Sequence, residues 1–290
     1  MLVIDGHAYA YRAFFAIRSL NAPDGKPTNA IYGFVKMMAG LVNWLNPSHV
    51  VVAWDGGLAE SRVQAHPEYK ANRPEMPADL GNQIDGIVEH LGASGCASVC
   101  ESGVEADDWI GTIATHAVAA GMPVVVASSD KDFMQLVGPL VSLANPGDKP
   151  PKLWSKDDVM AKTGVRPDQI VDWLSLVGDA VDNIPGVPGV GPKTASSLLN
   201  EFGSVRGIYE RLAEVKSDRI RQALQAARLD VSRNQDLVSL NIGLPGDYQM
   251  ERFRLGQKNC ERLGELYRGW GFRGLLEQLE REMPAQRELL

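Results

Sequence analysis

Short apolar runs alternate with longer helical patterns through about residue 153 of this chain. Leu2–Ile4, Val50–Trp54 and Val124–Ala127 are rich in β-branched residues, as strands buried on both faces of a parallel sheet are. Ala97–Cys100 and Val141–Ala144 are weaker strand candidates. The alternation predicts an α/β fold, in which helices cover both faces of a parallel sheet.

Helical periodicity fills the intervals between these runs. The apolar residues of Asn29–Leu45 fall on one stripe, as do those of Ile84–Leu91 and Trp109–Ala117. Gly92 is expected at the C-terminal cap of the second of these helices, and Gly121 is expected to stop the third.

The strand signal fades beyond residue 147, and short helices are predicted from there on. They are Pro167–Val177, Pro192–Phe202, Val205–Leu212 and Arg219–Ala227. We therefore predict a parallel-sheet core at 1–170, an all-helical domain at 171–283 and a loose tail at 284–290.

Acids follow the three strongest strand candidates. Asp5 ends the first run, Asp55 follows the second, and Asp130 and Asp132 follow the third after two serines. Ligands of an open α/β sheet bind beyond the carboxyl ends of its strands, so these acids are expected at one edge. The alternatives are that Asp5 caps the helix after it and that Asp130 is a turn residue.

Three further acids, Glu105, Asp107 and Asp108, stand at the start of the helix that contains Trp109. The helix dipole alone favours acids there, which is the alternative to a functional role. Two carboxylates about 4 Å apart repel by roughly 4 kcal/mol at an effective dielectric constant near 20. We expect no lysine or arginine among these acids, so bound cations must offset the repulsion.

Carboxylate oxygens are hard ligands that suit Mg²⁺ or Mn²⁺ rather than zinc. Two such ions about 3.5–4 Å apart clamp the attacking and leaving oxygens of a phosphoryl transfer. The acids therefore predict a metal-dependent enzyme that acts on phosphate esters.

Two more acids and a glycine-rich turn stand in the second predicted domain. Asp179 and Asp182 precede a turn that contains Gly186, Gly189 and Gly191. Backbone N–H groups of such a turn hold a phosphate at the start of a helix, where Lys193 adds a positive charge. The alternative is that the glycines only make a tight turn between packed helices.

A basic, proline-interrupted segment covers about residues 57–84 and carries Arg62, Lys70 and Arg73. It is either a mobile surface loop or an element that places Lys70 and Arg73 over a phosphate as it acquires charge. Arg62 is a further candidate for DNA contact.

The net charge of −7 does not favour a nucleic-acid protein at first sight. Removing the nine acids named above from the −7 total leaves +2, so the remaining surface is compatible with DNA. No run approaches the roughly 20 apolar residues of a transmembrane helix. The N-terminus does not have the form of a signal peptide, and the three cysteines fit a reducing compartment, so we expect a cytoplasmic protein.

Together these residues resemble the flap endonuclease/5′-nuclease superfamily, and within it the 5′→3′ exonuclease domain of bacterial DNA polymerase I. The most specific segments are Gly103–Asp108, Asp130-Lys131-Asp132 and Gly178–Gly191. The resemblance implies a PIN-like α/β nuclease core followed by a helix–three-turn–helix DNA-binding domain.

The resemblance also implies a set of metal ligands for at least two Mg²⁺ ions, with Mn²⁺ as a substitute. Asp5, Asp55, Glu105 and Asp107 would hold the first ion, and Asp130, Asp132 and Asp179 the second, with Asp107 close to both. Asp108 and Asp182 match more distant or water-mediated acids of the bacterial pattern.

Other roles follow from the same resemblance. Tyr11 would stack on a base near the cut, its alternative being a core tyrosine, and Lys70 and Arg73 match the basic pair of the family's helical arch. The turn Gly186–Gly191 would bind the duplex backbone and hold a K⁺ ion. The sequence departs from the family after Asp55, where Gly56–Arg62 stands in place of a lysine-bearing stretch.

The expected function is that of a structure-specific 5′-nuclease with 5′→3′ exonuclease and 5′-flap endonuclease activity in DNA replication and repair. A two-metal-ion mechanism, a monomer that binds DNA and no membrane, and a DNA polymerase as partner are expected. The alternatives are a DNA-junction-binding protein without catalysis and a PIN-domain ribonuclease.

Overall fold

The computed structural model describes the backbone of residues 1–287 and the side chains of residues 1–282. Contacts divide the chain into two compact units, neither of which is one continuous segment. Met1–Trp54, Glu75–Cys100 and the chain from Gly246 onward form the first unit, whereas Asp55–Pro74 and Glu101–Pro245 form the second. The domains predicted at 1–170 and 171–283 rest on the change from strand to helix patterns in the sequence and not on contacts, so they stay a prediction.

Short strands and helices alternate in the first half of the described chain, and helices dominate the second half. The strands are β1 (Leu2–Asp5), β2 (Val50–Ala53), β3 (Ala97–Val99), β4 (Val124–Ala127), β5 (Val141–Ala144), β6 (Gly178–Asp179) and β7 (Ile184–Pro185). The helices are α1 (Gly6–Ala16), α2 (Asn29–Leu45), α3 (Glu60–Ala65), α4 (Ala78–Ala93), α5 (Ala106–Ala119), α6 (Lys156–Thr163), α7 (Ile170–Val177), α8 (Pro192–Phe202), α9 (Val205–Glu210), α10 (Asp218–Ala226), α11 (Arg228–Val238), α12 (Cys260–Trp270) and α13 (Arg273–Arg287).

Parallel strands are present in both units. In the first unit β1 pairs with β2, with Leu2 opposite Val50, and β2 pairs with β3. In the second unit β4 pairs with β5, with Val124 opposite Val141. All residues of β1 and β2 are buried, which explains why they read as continuous apolar runs. The predicted parallel strands are confirmed, including the two weaker candidates.

In the first unit, α2 packs on the apolar core to which β1 and β2 contribute. Phe34 of α2 is fully buried and stacks on Trp54 with the ring centroids 5.9 Å apart. Thr28 gives α2 no side-chain cap, and the buried Gln83 of α4 takes its place, accepting hydrogen bonds from the N–H groups of Ala30 (2.8 Å) and Ile31 (3.3 Å). Such a cap satisfies donors that would otherwise be buried without a partner.

In the second unit, side chains of α11 hold the segments on both sides of the loop between α7 and β7. Asn234 is buried and donates hydrogen bonds to the carbonyls of Ser175 (3.1 Å) and Pro185 (2.7 Å). Gln235 donates to Asp172 at 2.6 Å. These bonds fix α7 and β7, between which the chain forms the loop with two of the predicted metal acids.

Several sequence expectations are wrong in detail. Helix α4 continues past Gly92 to Ala93, and Ser94 is its C-terminal cap. The second domain was predicted to be all-helical, but β6 and β7 form a short antiparallel pair within it. Helix α13 runs to Arg287, so residues 284–287 of the predicted tail are helical, and 288–290 lie outside the described residues. Helices α11, α12 and α13 were not predicted. Within the described range, every helix is too short or too polar to cross a bilayer.

Candidate metal centre

Two glycines allow β6 and β7 to approach closely. Gly178 has a φ of +80°, and a Cβ added there would lie 2.4 Å from the nitrogen of Gly186. A Cβ on Gly186 would lie 2.1 Å from the carbonyl oxygen of Val177. A side chain at either position is therefore incompatible with this pairing. The pairing closes the loop that carries Asp179 and Asp182.

A turn after β4 positions Asp132. Ser128 Oγ accepts a hydrogen bond from the N–H of Asp130 at 3.1 Å, and Asp130 Oδ1 accepts one from the N–H of Asp132 at 2.9 Å. The turn residue predicted as the alternative for Asp130 is therefore present. It also directs the next acid, since Asp132 begins a 3-10 turn to Leu136.

Asp132, Asp179 and Asp182 come together in the second unit. One carboxylate oxygen of each lies within 4.8 Å of the others, and among the residues the structure describes this is the one such group of three His, Cys, Asp or Glu side chains. Asp132 Oδ1 is inaccessible to solvent and has no hydrogen-bond partner within residues 1–287. Burial, followed by the nearby carboxylates of Asp130, Asp179 and Asp182, holds the pKa of Asp132 well above its usual range.

These three acids fit a hard divalent cation. At 4.8 Å and an effective dielectric constant near 20, each pair of full charges repels by about 3.5 kcal/mol. Lys131 offsets part of this, with its Nζ 3.1 Å from Asp179 Oδ2, but its side chain is 37% exposed. Oxygen ligands of this kind suit Mg²⁺ or Mn²⁺. The buried oxygen of Asp132 is a ready ligand.

A second cluster contains cations, contrary to the expectation that no lysine or arginine lies among the acids. Glu105 Oε1 accepts a hydrogen bond from the N–H of Ala59 at 3.1 Å and lies 3.1 Å from Arg62 Nη1. Its Oε2 accepts hydrogen bonds from the Tyr69 hydroxyl at 3.2 Å and from Lys70 Nζ. Burial favours the neutral acid, but Lys70 and Arg62 outweigh it and lower the pKa of Glu105.

Lys70 turns inward rather than toward solvent. Its Nζ lies 3.9 Å from Asp107 Oδ2 and 3.9 Å from Asp182 Oδ2, in addition to its hydrogen bond with Glu105, and 3% of its side chain is exposed. Burial alone would lower the pKa of Lys70, but Asp107 and Glu105 raise it above its ordinary value. The ammonium is therefore charged at neutral pH.

Arg62 and Asp108 form a buried pair that holds a later segment of the second unit. Arg62 Nη1 and Nη2 donate to the two oxygens of Asp108 at 2.8 and 2.7 Å, and Nη2 also donates to the Ser239 carbonyl at 3.0 Å. Asp108 Oδ1 accepts from the N–H of Asn241 at 2.9 Å. Bidentate geometry and burial point to a structural role. The roles predicted for Arg62 in DNA contact and for Asp108 near the metal ions stay predictions.

The other predicted residues of the second unit lie nearer to solvent. Arg73 is partly exposed, and its Nε and Nη2 donate to Asp182 Oδ1 at 3.2 and 2.6 Å. Asp55 is exposed, and its Oδ1 accepts from the N–H of Ala106 at the start of α5. Asp107 is half-buried. Asp55, Glu105 and Asp107 do not form a second close group of three among the described residues.

The glycine turn ends where α8 begins. Gly191 is the N-terminal cap residue of α8, and Lys193 is exposed in its first turn. Gly189 has a φ of +82°, and a Cβ there would lie 3.1 Å from Arg219 Nη2. Arg219 therefore lies beside the turn. The sequence alone treats it as one of several surface arginines, because nothing local links it to residues thirty positions earlier.

Two predicted residues belong to the first unit. Asp5 is buried, and its Oδ1 accepts a hydrogen bond from the N–H of Ala8 at 3.0 Å, so the predicted cap of α1 is present. Tyr11 is half-buried and stacks on Phe15 with the centroids 6.3 Å apart. Tyr9, not Tyr11, is the core tyrosine of α1. Phe15 is 69% exposed, and its i,i+4 spacing from Tyr11 is the signal that sequence reasoning missed.

Family comparisons cover most of the chain. The sequence model described as 5′-3′ exonuclease, N-terminal resolvase-like domain, matches residues 1–164. The model described as 5′-3′ exonuclease, C-terminal SAM fold, matches residues 165–261. The predicted fold class, a parallel-sheet nuclease core with a helical C-terminal domain, is confirmed by these matches.

Individual proteins with similar sequences or structures also include 5′-3′ exonucleases. A 5′-3′ exonuclease from Aquifex aeolicus is 34% identical over an aligned length of 291 that covers 100% of this chain and 99% of that protein. DNA polymerase I of Bacillus caldotenax is 35% identical over 97% of this chain, and the chain spans only 32% of that protein's length. The structure of T5 5′-exonuclease with bound divalent metal ions (zinc) is 25% identical, with a TM-score of 0.69 over 83% of this chain and 89% of that one.

Proposed function

Because this chain belongs to the 5′-3′ exonuclease family and is therefore a nuclease, we propose that it hydrolyses DNA phosphodiester bonds at 5′ ends and at 5′ flaps. The observation that carries this proposal is the buried oxygen of Asp132 beside Asp179 and Asp182. A nuclease of this family needs divalent ions, and this group offers the oxygen ligands that Mg²⁺ prefers.

Asp132, Asp179 and Asp182 are proposed to hold one ion, with Asp130 supporting Asp132. By family resemblance, Asp5, Asp55, Glu105 and Asp107 are proposed ligands of another. Mg²⁺ ions, when bound, supply an activated water and stabilise the attacking and leaving oxygens of an in-line displacement. Mn²⁺ is proposed as a substitute.

Arg73 and Lys70 of the second unit are proposed to act on the substrate. Arg73 reaches solvent with 39% of its side chain exposed, so it can pair with a phosphate that approaches Asp182. Lys70 is proposed to do the same once it leaves its acid partners. Both would stabilise negative charge that develops on the scissile phosphate.

DNA binding is proposed to depend on the backbone and not on base sequence. The turn Gly186–Gly191 presents N–H groups at the start of α8, with Lys193 and Arg219 as flanking charges, and a K⁺ ion on its carbonyls remains a proposal. Tyr11, stacked on the exposed Phe15, offers a ring to an unpaired base. We expect a monomer in DNA replication and repair, with a DNA polymerase as partner. No disulfide joins the described cysteines, which fits a reducing cytoplasm.

The test uses a 5′-flap DNA duplex labelled at the 5′ end, with Mg²⁺ and with EDTA, and Asp132→Asn as the inactive control. We expect Mg²⁺-dependent release of a fragment near the flap junction or of mononucleotides. Binding without cleavage under Mg²⁺ and Mn²⁺ would instead support the junction-binding alternative. Faster cleavage of a matched RNA flap would support a ribonuclease.

A further inference from the structure

The ammonium of Lys70 occupies a position among carboxylates that belong to two different segments. Glu105 and Asp107 stand at the start of α5, and Asp182 stands in the loop between β6 and β7. Lys70 Nζ bonds to Glu105 Oε2 and lies 3.9 Å from an oxygen of each of the other two. It also lies 4.9 Å from the centroid of the Tyr69 ring, a cation–π contact.

The backbone of Lys70 is specifically held in this orientation. Its φ is +57°, in the left-handed region that residues with a Cβ avoid for steric reasons. Its N–H donates to the Asp182 carbonyl at 3.0 Å, and its own carbonyl accepts from the N–H of Arg73 at 3.0 Å. Strain of this kind persists only where surrounding contacts fix it.

The same carboxylates are the proposed ligands of divalent ions. A carboxylate oxygen that accepts a hydrogen bond from an ammonium cannot at once coordinate a divalent ion at full strength, because the two cations repel each other at close range. Binding of an ion to Glu105 Oε2 therefore requires the ammonium of Lys70 to move away, and at 3.9 Å from Asp182 Oδ2 the same ammonium opposes an ion there by charge repulsion.

We propose that Lys70 is a built-in counter-ion of the metal centre, which competes with the divalent ion for Glu105, Asp107 and Asp182 and leaves them when the ion binds. This inference rests on the proposed metal-dependent function. Displacement by the ion then frees a charged ammonium, for which an anionic phosphate is the next partner. Ion binding and phosphate binding are thereby coupled, and the coupling is reciprocal.

Two measurements test this without relying on cleavage. The first is calorimetric titration of Mg²⁺ into the wild-type protein, Lys70→Met and Lys131→Met. Lys131 is the matched control, because its Nζ also contacts an acid of the centre, at 3.1 Å from Asp179, but its side chain is 37% exposed. We expect Lys70→Met to bind Mg²⁺ about tenfold more tightly and Lys131→Met to show a much smaller change.

The second measurement is acetylation of lysine amines, read by mass spectrometry of the peptide that contains Lys70. Because 3% of its side chain is exposed, we expect protection in EDTA and modification once Mg²⁺ is added. The surface residue Lys26, 80% exposed, serves as the reference that reacts equally in both conditions.

The outcomes separate the two proposals. Absence of Mg²⁺ binding to every variant would overturn the metal centre itself. Equal Mg²⁺ affinity of wild-type protein and Lys70→Met, or unchanged protection of Lys70 in Mg²⁺, would overturn the counter-ion inference and leave the metal centre standing. Weaker binding by a folded Lys70→Met protein would show that Lys70 organises the acids rather than competing for them.

Discussion

Replacing Asp132 by Asn should stabilise the protein without divalent ions and abolish its function with them. The change keeps the size of the side chain and removes one of three charges whose oxygens lie within 4.8 Å of one another. Asp132 takes part in two of the three pairs, each worth about 3.5 kcal/mol of repulsion at an effective dielectric constant near 20. Burial and the nearby carboxylates raise the pKa of Asp132, which favours its protonation and makes the expected gain smaller than the full repulsion.

We therefore expect a net gain of about 2 kcal/mol in the free energy of unfolding in EDTA. For a chain of 290 residues this corresponds to a rise of about 3 °C in the unfolding temperature. Excess Mg²⁺ should reverse the order, because it stabilises the wild-type protein by binding and the variant has lost a ligand.

Scanning calorimetry in EDTA and in Mg²⁺ measures both effects. Asp85→Asn is the matched control, because it makes the same chemical change at an exposed position of α4, and it should leave both temperatures unchanged. The reasoning fails if Asp132→Asn is less stable than the wild-type protein in EDTA, or if Mg²⁺ raises both unfolding temperatures equally.

Three other perturbations test separate parts of the structure. Burial lowers the pKa of His90 to about 4, so the neutral ring, which hydrogen-bonds to the Tyr267 hydroxyl at 3.0 Å, contributes stability that is full above pH 6.5 and lost as the pH falls through 4. Chemical denaturation should show the wild-type protein losing about 3 kcal/mol more than His90→Gln between pH 7 and pH 4, and equal losses would refute this. Arg62→Met leaves the buried carboxylate of Asp108 without its partner and should cost about 4 kcal/mol of unfolding free energy; adding Asp108→Asn should restore part of that loss, and a neutral single variant would contradict the structural role. Gly186→Ala should reduce Mg²⁺ affinity in titration calorimetry, because its Cβ would lie 2.1 Å from the Val177 carbonyl, whereas Gly191→Ala, with nothing within 4 Å of its Cβ, should bind as wild type does.

Periodicity predicted those parts of the fold that local sequence determines. The apolar stripe of α2 marked its start because the buried residues run from Asn29 to Met38, and its end at Leu45 is set by Asn46, whose φ of +43° closes the helix. The β-branched runs of β1, β2 and β4 were found because both faces of these strands are covered. Helix α11 was missed because its apolar residues are few and its role depends on Asn234 and its distant partners.

The acids of the candidate site were predictable as a set, but their partners were not. Asp132 follows the end of a predicted strand, and Asp179 precedes a glycine-rich turn. Both patterns are visible in the local sequence. The pairing of Arg62 with Asp108 joins residues 46 positions apart, and that of Arg73 with Asp182 joins residues 109 apart. Only the folded chain brings these charges together, so sequence reasoning wrongly separated the basic segment from the acidic one.

Each of the two contact units is built from separate segments of the chain, which has a consequence for biosynthesis. The first unit needs α12, whose Tyr267 contacts His90 of α4 across 177 positions of the chain. A ribosome that adds about 5–20 residues per second makes α12 roughly 10–30 s after α4. During that interval the apolar face of α4 must be shielded by a chaperone or by transient contacts. Dividing the gene between residues 164 and 165 would make that exposure permanent. Pieces made this way should aggregate even though each matches a recognised module.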